Sequence, residues 1–138
     1  MAQTFHLSVV APDKSVVEDT VTSLIAPGAE GYFGVMAGHA PLIASLRPGV
    51  MEYVDSGSTR HFVFMSGGFA EVNGSSVTIL ADEAQPAEEI DVKRAEMLLE
   101  DSRRVLRGEM SDQTTEEALD EVEKAVHRLR AARIAAGR

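Results

Sequence analysis

The amino-acid sequence predicts a β-sandwich of about ten strands over residues 1–87, followed by an antiparallel two-helix hairpin over residues 88–138. Three observations carry this prediction. All five prolines, all seven Phe and Tyr, and nine of the eleven glycines lie in residues 1–87, so turn formers and aromatic strand formers are segregated from the rest of the chain. Apolar residues in that stretch recur at every second position, the period of a half-buried strand. Past residue 90 the period lengthens to that of an amphipathic helix, and ten of the thirteen Lys and Arg with thirteen of the twenty-two Asp and Glu fall in residues 88–138.

Phe5, Leu7 and Val9 share one face of a first strand, and Val21, Ser23 and Ile25 share a face of a second. Val50, Glu52 and Val54 repeat the pattern. Asp55-Ser56-Gly57-Ser58 interrupts it before Arg60-His61-Phe62-Val63-Phe64-Met65. Asn73-Gly74, whose residues tolerate positive φ, joins Phe69-Ala70-Glu71-Val72 to Ser76-Val77-Thr78-Ile79-Leu80 as a hairpin. Short strands with turns every ~8–12 residues predict a sandwich or flattened barrel, because a single sheet would leave one apolar face wet.

Asp91 is placed to cap a first helix whose stripe runs Ala95, Leu98, Leu99, Ser102, Val105 and Leu106, with Gly108 ending it. Thr114-Thr115-Glu116-Glu117 reads as a capping box for a second helix with the stripe Leu119, Val122, Val126, Leu129 and Ala136. Residues 108–113 are few enough to fold the pair back on itself. Acidic residues lead the second helix and Lys124, Arg128, Arg130 and Arg133 follow, an order that complements the helix dipole. Ala-rich stripes bury little area: a full Leu or Val contributes ~1.5–3 kcal/mol, while ordering each residue costs ~1–2 kcal/mol. The hairpin is therefore expected to be marginal alone and to need a surface, a partner or a ligand to lean on.

Composition and motifs exclude several function classes. The formal charge of −9 disfavours nucleic acid, whose binding is driven by cations. No run of ~18 apolar residues spans a bilayer, and the N-terminus lacks the pattern of an export signal, so a cytosol-like compartment is expected. The absence of cysteine removes disulfides, thiolate nucleophiles and sulfur-ligated zinc. Ser66-Gly67-Gly68 lacks the glycine that precedes the serine in a nucleophile elbow, and no phosphate loop or dinucleotide fingerprint occurs. The histidines at 6, 39, 61 and 127 show no metal-ligand spacing. No catalytic residue and no metal site is expected, and a β-sandwich hydrolase is a remote reading.

Pro27-Gly28-Ala29-Glu30-Gly31-Tyr32-Phe33-Gly34-Val35-Met36-Ala37-Gly38-His39-Ala40-Pro41-Leu42 resembles the signature loop and strand of the epsilon-subunit family of bacterial F-type, proton-translocating ATP synthases. Leu46-Arg47-Pro48-Gly49-Val50, then Ser66-Gly67-Gly68-Phe69-Ala70-Glu71-Val72, then Val77-Thr78-Ile79-Leu80-Ala81-Asp82-Glu83-Ala84 are similar to its later β segments. The resemblance covers essentially the whole chain. It implies a noncatalytic central-stalk rotor subunit that joins the gamma subunit to the membrane c-ring. It also implies a mobile helical hairpin that restrains ATP hydrolysis by reaching into the alpha/beta catalytic hexamer. The setting so implied is peripheral, on the cytoplasmic face of the bacterial inner membrane.

By the same resemblance Glu30 and Gly31 fall in the segment that meets the c-ring, and His39 in the stretch turned toward gamma. Arg128, Arg130 and Arg133 are positioned to engage acidic segments of the catalytic subunits when the hairpin is extended. Some family members bind ATP through an Ile/Leu-Asp-x-x-Arg-Ala motif, and Ile90-Asp91-Val92-Lys93-Arg94-Ala95 matches it completely. Ile90, Asp91, Arg94 and Arg128 are thus the nucleotide-binding candidates, with ATP a regulatory ligand and no cofactor required. Lys124 stands where a second arginine is expected, and lysine cannot form the bidentate fork to phosphate, so weaker binding follows. The alternative is a free-standing ATP-sensing protein whose hairpin clamps the nucleotide. The coupling ion is not legible in the sequence.

Overall fold

The computed structural model describes residues 3–137. Nine strands precede two helices: β1 (Phe5–Ala11), β2 (Lys14–Gly28), β3 (Gly31–Met36), β4 (Leu42–Leu46), β5 (Gly49–Asp55), β6 (Arg60–Met65), β7 (Gly68–Asn73), β8 (Ser76–Ala81), β9 (Ala84–Pro86), a 3-10 turn (Ala87–Glu89), α1 (Val92–Leu106) and α2 (Thr115–Gly137). The hydrogen-bonded order is β1-β8-β7-β4-β2-β5-β6-β9, with β3 on β2 and β1 pairing back to β2.

The fifteen residues of β2 serve two layers. Up to Val21 the strand pairs with β1; from Val21 on it pairs with β5, and from Ser23 with β3 as well. A register shift between Val21 and Ser23 marks the change, as expected where a strand bends from one sheet into another. One layer then contains β1, β8, β7 and β4, and the other β3, β5, β6 and β9. At the close approach of β7 to β8 only glycine fits: Gly68 has φ +134°, and a Cβ there would lie 2.0 Å from the Leu80 carbonyl oxygen.

The main core lies between the layers and draws on all nine strands, from Phe5 and Leu7 of β1 to Ala84 of β9. Among the described residues, none beyond Ala84 belongs to it. A second, smaller cluster lies on the outer face of β5 and β6: Val50, Phe62, Phe64, Ala87 and Ala131, flanked by Ile90, Ile134 and Ala135. In β6 the side chains alternate, Val63 and Met65 entering the main core and Phe62 and Phe64 the second cluster. All four are buried, so this strand is covered on both faces.

The helix ends follow the sequence closely. The Asp91 carboxylate accepts from the Arg94 backbone N–H at 3.0 Å. Thr114 and Glu117 make a reciprocal capping box, Glu117 N donating to Thr114 Oγ1 at 3.1 Å and Thr114 N to Glu117 Oε1 at 3.2 Å. Gly108, at φ +80°, closes α1 with bonds from its own N–H to Val105 O and from Glu109 N–H to Arg104 O, the paired pattern of a left-handed helix end. The buried Ser102 hydroxyl donates to Gln113 in the interhelix loop at 3.2 Å.

The predicted stripe of the second helix needs correction. Leu119 and Val126 are exposed, Ala136 is also exposed, and the buried positions are Ala118, Ala125 and Ala131. Helices that approach closely need small side chains at the contact, so the alanines face inward and the larger residues are displaced to the flanks. α2 packs on α1, β5, β6 and the 3-10 turn, whereas the packing of α1 is chiefly against α2.

Candidate functional site

The structure gathers the four nucleotide-binding candidates. Ile90, Asp91 and Arg94 at the start of α1 and Arg128 of α2 line one cleft of about 470 Å³, together with Glu83, Gln85, Ala95, Leu98, Gln113 and Glu121. Asp91 is also the helix cap, so one of its oxygens is already engaged. The Arg94 guanidinium has no carboxylate at ion-pair distance among the described residues, and it is exposed.

Arg128 is differently placed. Its guanidinium lies 4.6 Å over the Phe64 ring and donates to Glu83 from the β8–β9 turn. Lys124 Nζ reaches the other oxygen of Glu83 at 3.3 Å and Asp120 at 3.2 Å. Burial works against the Lys124 ammonium, but Asp120 and Glu83 outweigh it and hold its pKa above the ordinary value. Glu83 therefore joins two cations of α2 to the sandwich. Three carboxylates (Glu83, Asp91, Glu121) face two guanidinium groups around this cleft.

Arg128, Arg130 and Arg133 do not form one basic face. Steps of ~100° per residue place position 130 roughly opposite position 128, and Arg130 and Arg133 are exposed while the Arg128 side chain is 14% exposed. Neighbouring His127 is half-buried, and its buried Nδ1 has no hydrogen-bond partner among the described residues. Burial lowers its pKa; Glu123 opposes this, and Arg130 and Arg47 add to it.

The interface candidates on the sandwich are separated. Glu30 lies in the exposed Ala29–Glu30 turn between β2 and β3 and Gly31, half-buried, opens β3; the turn is tied to β4 by Ala29 N–H donating to Ser45 O at 2.8 Å. His39 lies beyond the far end of β3, about 20 Å of extended chain away. There its Nδ1 pairs with the Ala40 carbonyl at 2.7 Å, while Gly38 N–H donates to Gly74 O in the β7–β8 turn. No single site includes all three residues.

Sequence reasoning missed three features. Glu83 is the acidic partner of the hairpin, and nothing local marks it. An apolar patch of Ile43, Phe69 and Leu80, each more than half exposed, covers the outer face of β4, β7 and β8; Phe69 and Leu80 are cross-strand partners. Their outward alternation with buried Ala70 and Ile79 was the available signal. Asp19, Asp55 and His61 also converge, with one ligand-type atom of each within 4.8 Å of the others. The His61 ring, followed by the Thr59 and Gly57 backbone N–H groups, holds the Asp55 carboxyl below its ordinary pKa. Among the described residues, no helix is long and apolar enough to cross a membrane.

Comparison with known proteins agrees with this architecture. The family described as ATP synthase, Delta/Epsilon chain, beta-sandwich domain matches residues 4–87. The ATP synthase epsilon chain of Desulfosudis oleivorans is 42% identical over 108 residues, covering 78% of this chain and 81% of that one. The ATP synthase epsilon chain of Paramagnetospirillum magneticum is 41% identical over 112 residues, covering 81% and 84%. A chain in the cryo-EM structure of the Euglena gracilis mitochondrial ATP synthase OSCP/F1/c-ring assembly superposes with TM-score 0.74 at 28% identity, over 95% of this chain and 81% of that one. A chain of the Tetrahymena thermophila mitochondrial ATP synthase central stalk and c-ring shares the fold, with TM-score 0.58 at 13% identity and 97% coverage of both chains. Strand pattern, helical tail and sequence identity converge, and the chain belongs to the ATP synthase delta/epsilon chain family.

Proposed function

We propose that this chain is a noncatalytic rotor component of an F-type ATP synthase, joining the gamma subunit to the c-ring and restraining ATP hydrolysis through its hairpin. The observation that carries the regulatory half is the division of apolar clusters: the helices share no side chain with the main core and rest on a separate small cluster. An element held this way can leave without unfolding the body, which is what a two-state brake requires. The coupling half rests on the Ile43, Phe69 and Leu80 patch, a surface apolar enough to seat a protein partner, and on the exposed Ala29–Glu30 turn, followed by Gly31, at one end of the sandwich. With these partners the chain is held peripherally at the cytoplasmic face of the bacterial inner membrane. Deleting residues 88–138 is expected to raise ATP hydrolysis by the assembled enzyme while gamma and the c-ring stay joined; unchanged hydrolysis overturns the inhibitory role.

A second reading, ATP binding to the docked hairpin, is favoured by the cleft that Ile90, Asp91, Arg94 and Arg128 line. Arg94 is free to pair with phosphate, but Arg128 and Lys124 must first give up Glu83. A nucleotide also brings negative charge to a cleft that is already rich in carboxylates, so its affinity is weak. ATP should increase hydrogen-exchange protection of α1 and α2, and Arg94→Ala should abolish the increase. Equal protection in the variant leaves the motif a purely structural one. A free-standing sensor, by contrast, would bind ATP tightly and co-purify with no membrane ATPase.

A further inference from the structure

We propose that Asp19, Asp55 and His61 form a binding site for one divalent transition-metal ion, zinc being the ion whose ligand preferences they fit best. The three side chains come from β2, the end of β5 and the start of β6, and their ligand atoms lie within 4.8 Å of one another. Atoms ligating one ion at about 2.0–2.2 Å are separated by roughly 3–4 Å, so only small side-chain movements close the set.

Asp19 is the anomalous member. It shares a face of β2 with Val17 and Val21, both buried in the main core, and it pairs across to the buried Leu7. A carboxylate therefore interrupts the core-facing row at the rim between the layers. Among the described residues its hydrogen-bond partner is the backbone N–H of Thr20 at 2.8 Å, and neither Lys nor Arg forms an ion pair with it. Two half-buried carboxylates beside one imidazole leave negative charge that a cation would neutralise.

The other two ligands are held in place. Asp55 Oδ1 accepts from the backbone N–H groups of Gly57 and Thr59, both at 2.9 Å, which leaves Oδ2 facing His61 Nε2 at 2.8 Å. The His61 ring stacks on Tyr53 with centroids 4.7 Å apart and planes 18° apart. Backbone donors behind a carboxylate and a stacked ring behind an imidazole are the supports that orient metal ligands. On binding, His61 Nε2 presents its lone pair, the ring proton residing on Nδ1, and water completes the coordination. One nitrogen and two oxygen donors suit zinc, cobalt or manganese, while the imidazole disfavours calcium and magnesium. A bound ion would clip the β5–β6 turn to β2.

The test is a titration of the full chain with Co2+, following its visible absorption and the ring proton resonances of the four histidines. Saturation at one ion per chain is expected, with His61 resonances broadened first and Zn2+ displacing the cobalt. Asp19→Asn should weaken binding about tenfold or more, and His61→Gln should abolish it. Three results overturn the site: no saturable binding, broadening centred on His6 beside Glu18, or binding unchanged in both variants. The resonances of the unaltered chain decide the matter even if a variant fails to fold.

Discussion

The two apolar clusters of this molecule contrast in depth and in what they connect. The main core takes nineteen buried residues from nine strands, and Leu7, Val9, Val21, Met51 and Ile79 are fully shielded from water. The second cluster has five, only one of which, Ala131, comes from a helix. Close packing over many strands gives the sandwich the stiffness of a coupling, whereas a seat built on one alanine and its flanking Ile134 and Ala135 gives a contact of small area. The body's packing and the hairpin's seat are thus assigned to separate sets of side chains, and α1 leans chiefly on α2.

The largest test of that contrast is Leu7→Ala. Removing a fully buried leucine side chain should cost about 3 kcal/mol of global stability in a denaturant titration, with strands and helices lost together. Retention of the helices after the sandwich has melted would break the dependence of one on the other. A smaller effect is expected from Ala131→Leu, which overfills the second cluster at a cost of about 1–3 kcal/mol. Hydrogen exchange should show α1 and α2 losing protection together while the strands keep theirs; equal loss in the strands would make the two clusters one cooperative unit.

The smallest effect is one of pH. Burial holds the His127 pKa below its ordinary value of 6.5, so the undocked hairpin takes up a proton more readily than the docked one. Docking is then at full strength above pH ~6.5 and weakens as pH falls below it. Exchange protection of α2 measured from pH 7.5 to 5.5 should decline for the native chain and stay level for His127→Gln. A decline of the same size in both would assign the effect to other groups.

Much of this organisation was legible in the sequence, and the remainder was hidden for physical reasons. Local signals were read correctly: Asp91, Gly108 and the Thr114–Glu117 box sit where their capping chemistry requires, and Asn73-Gly74 turns the β7–β8 hairpin. The buried face of α2 was misread because hydrophobicity ranks Leu119 and Val126 above alanine, whereas close helix packing selects the smaller residue. Phe62-Val63-Phe64-Met65 held the missing clue, since a continuous apolar run in an antiparallel strand implies cover on both faces. For the candidate cleft, the motif at residues 90–95 was visible, but Glu83 lies 45 residues from Arg128 and no local pattern reveals a pairing over that distance. Asp55 and His61 flank one turn and are neighbours by construction; the arrival of Asp19 depends on how β2 crosses between layers.

The doubly covered strand β6 has a further consequence. Were the hairpin to lift, Phe62 and Phe64 would pass from a dry contact into water, at a cost of up to about 1.5–3 kcal/mol for each ring. A chain opened in this way would be adhesive, and left without a substitute cover it would be drawn toward its own kind. Keeping two aromatic rings out of solvent thus favours the docked arrangement, beside the Glu83 ion pairs that also hold α2 there.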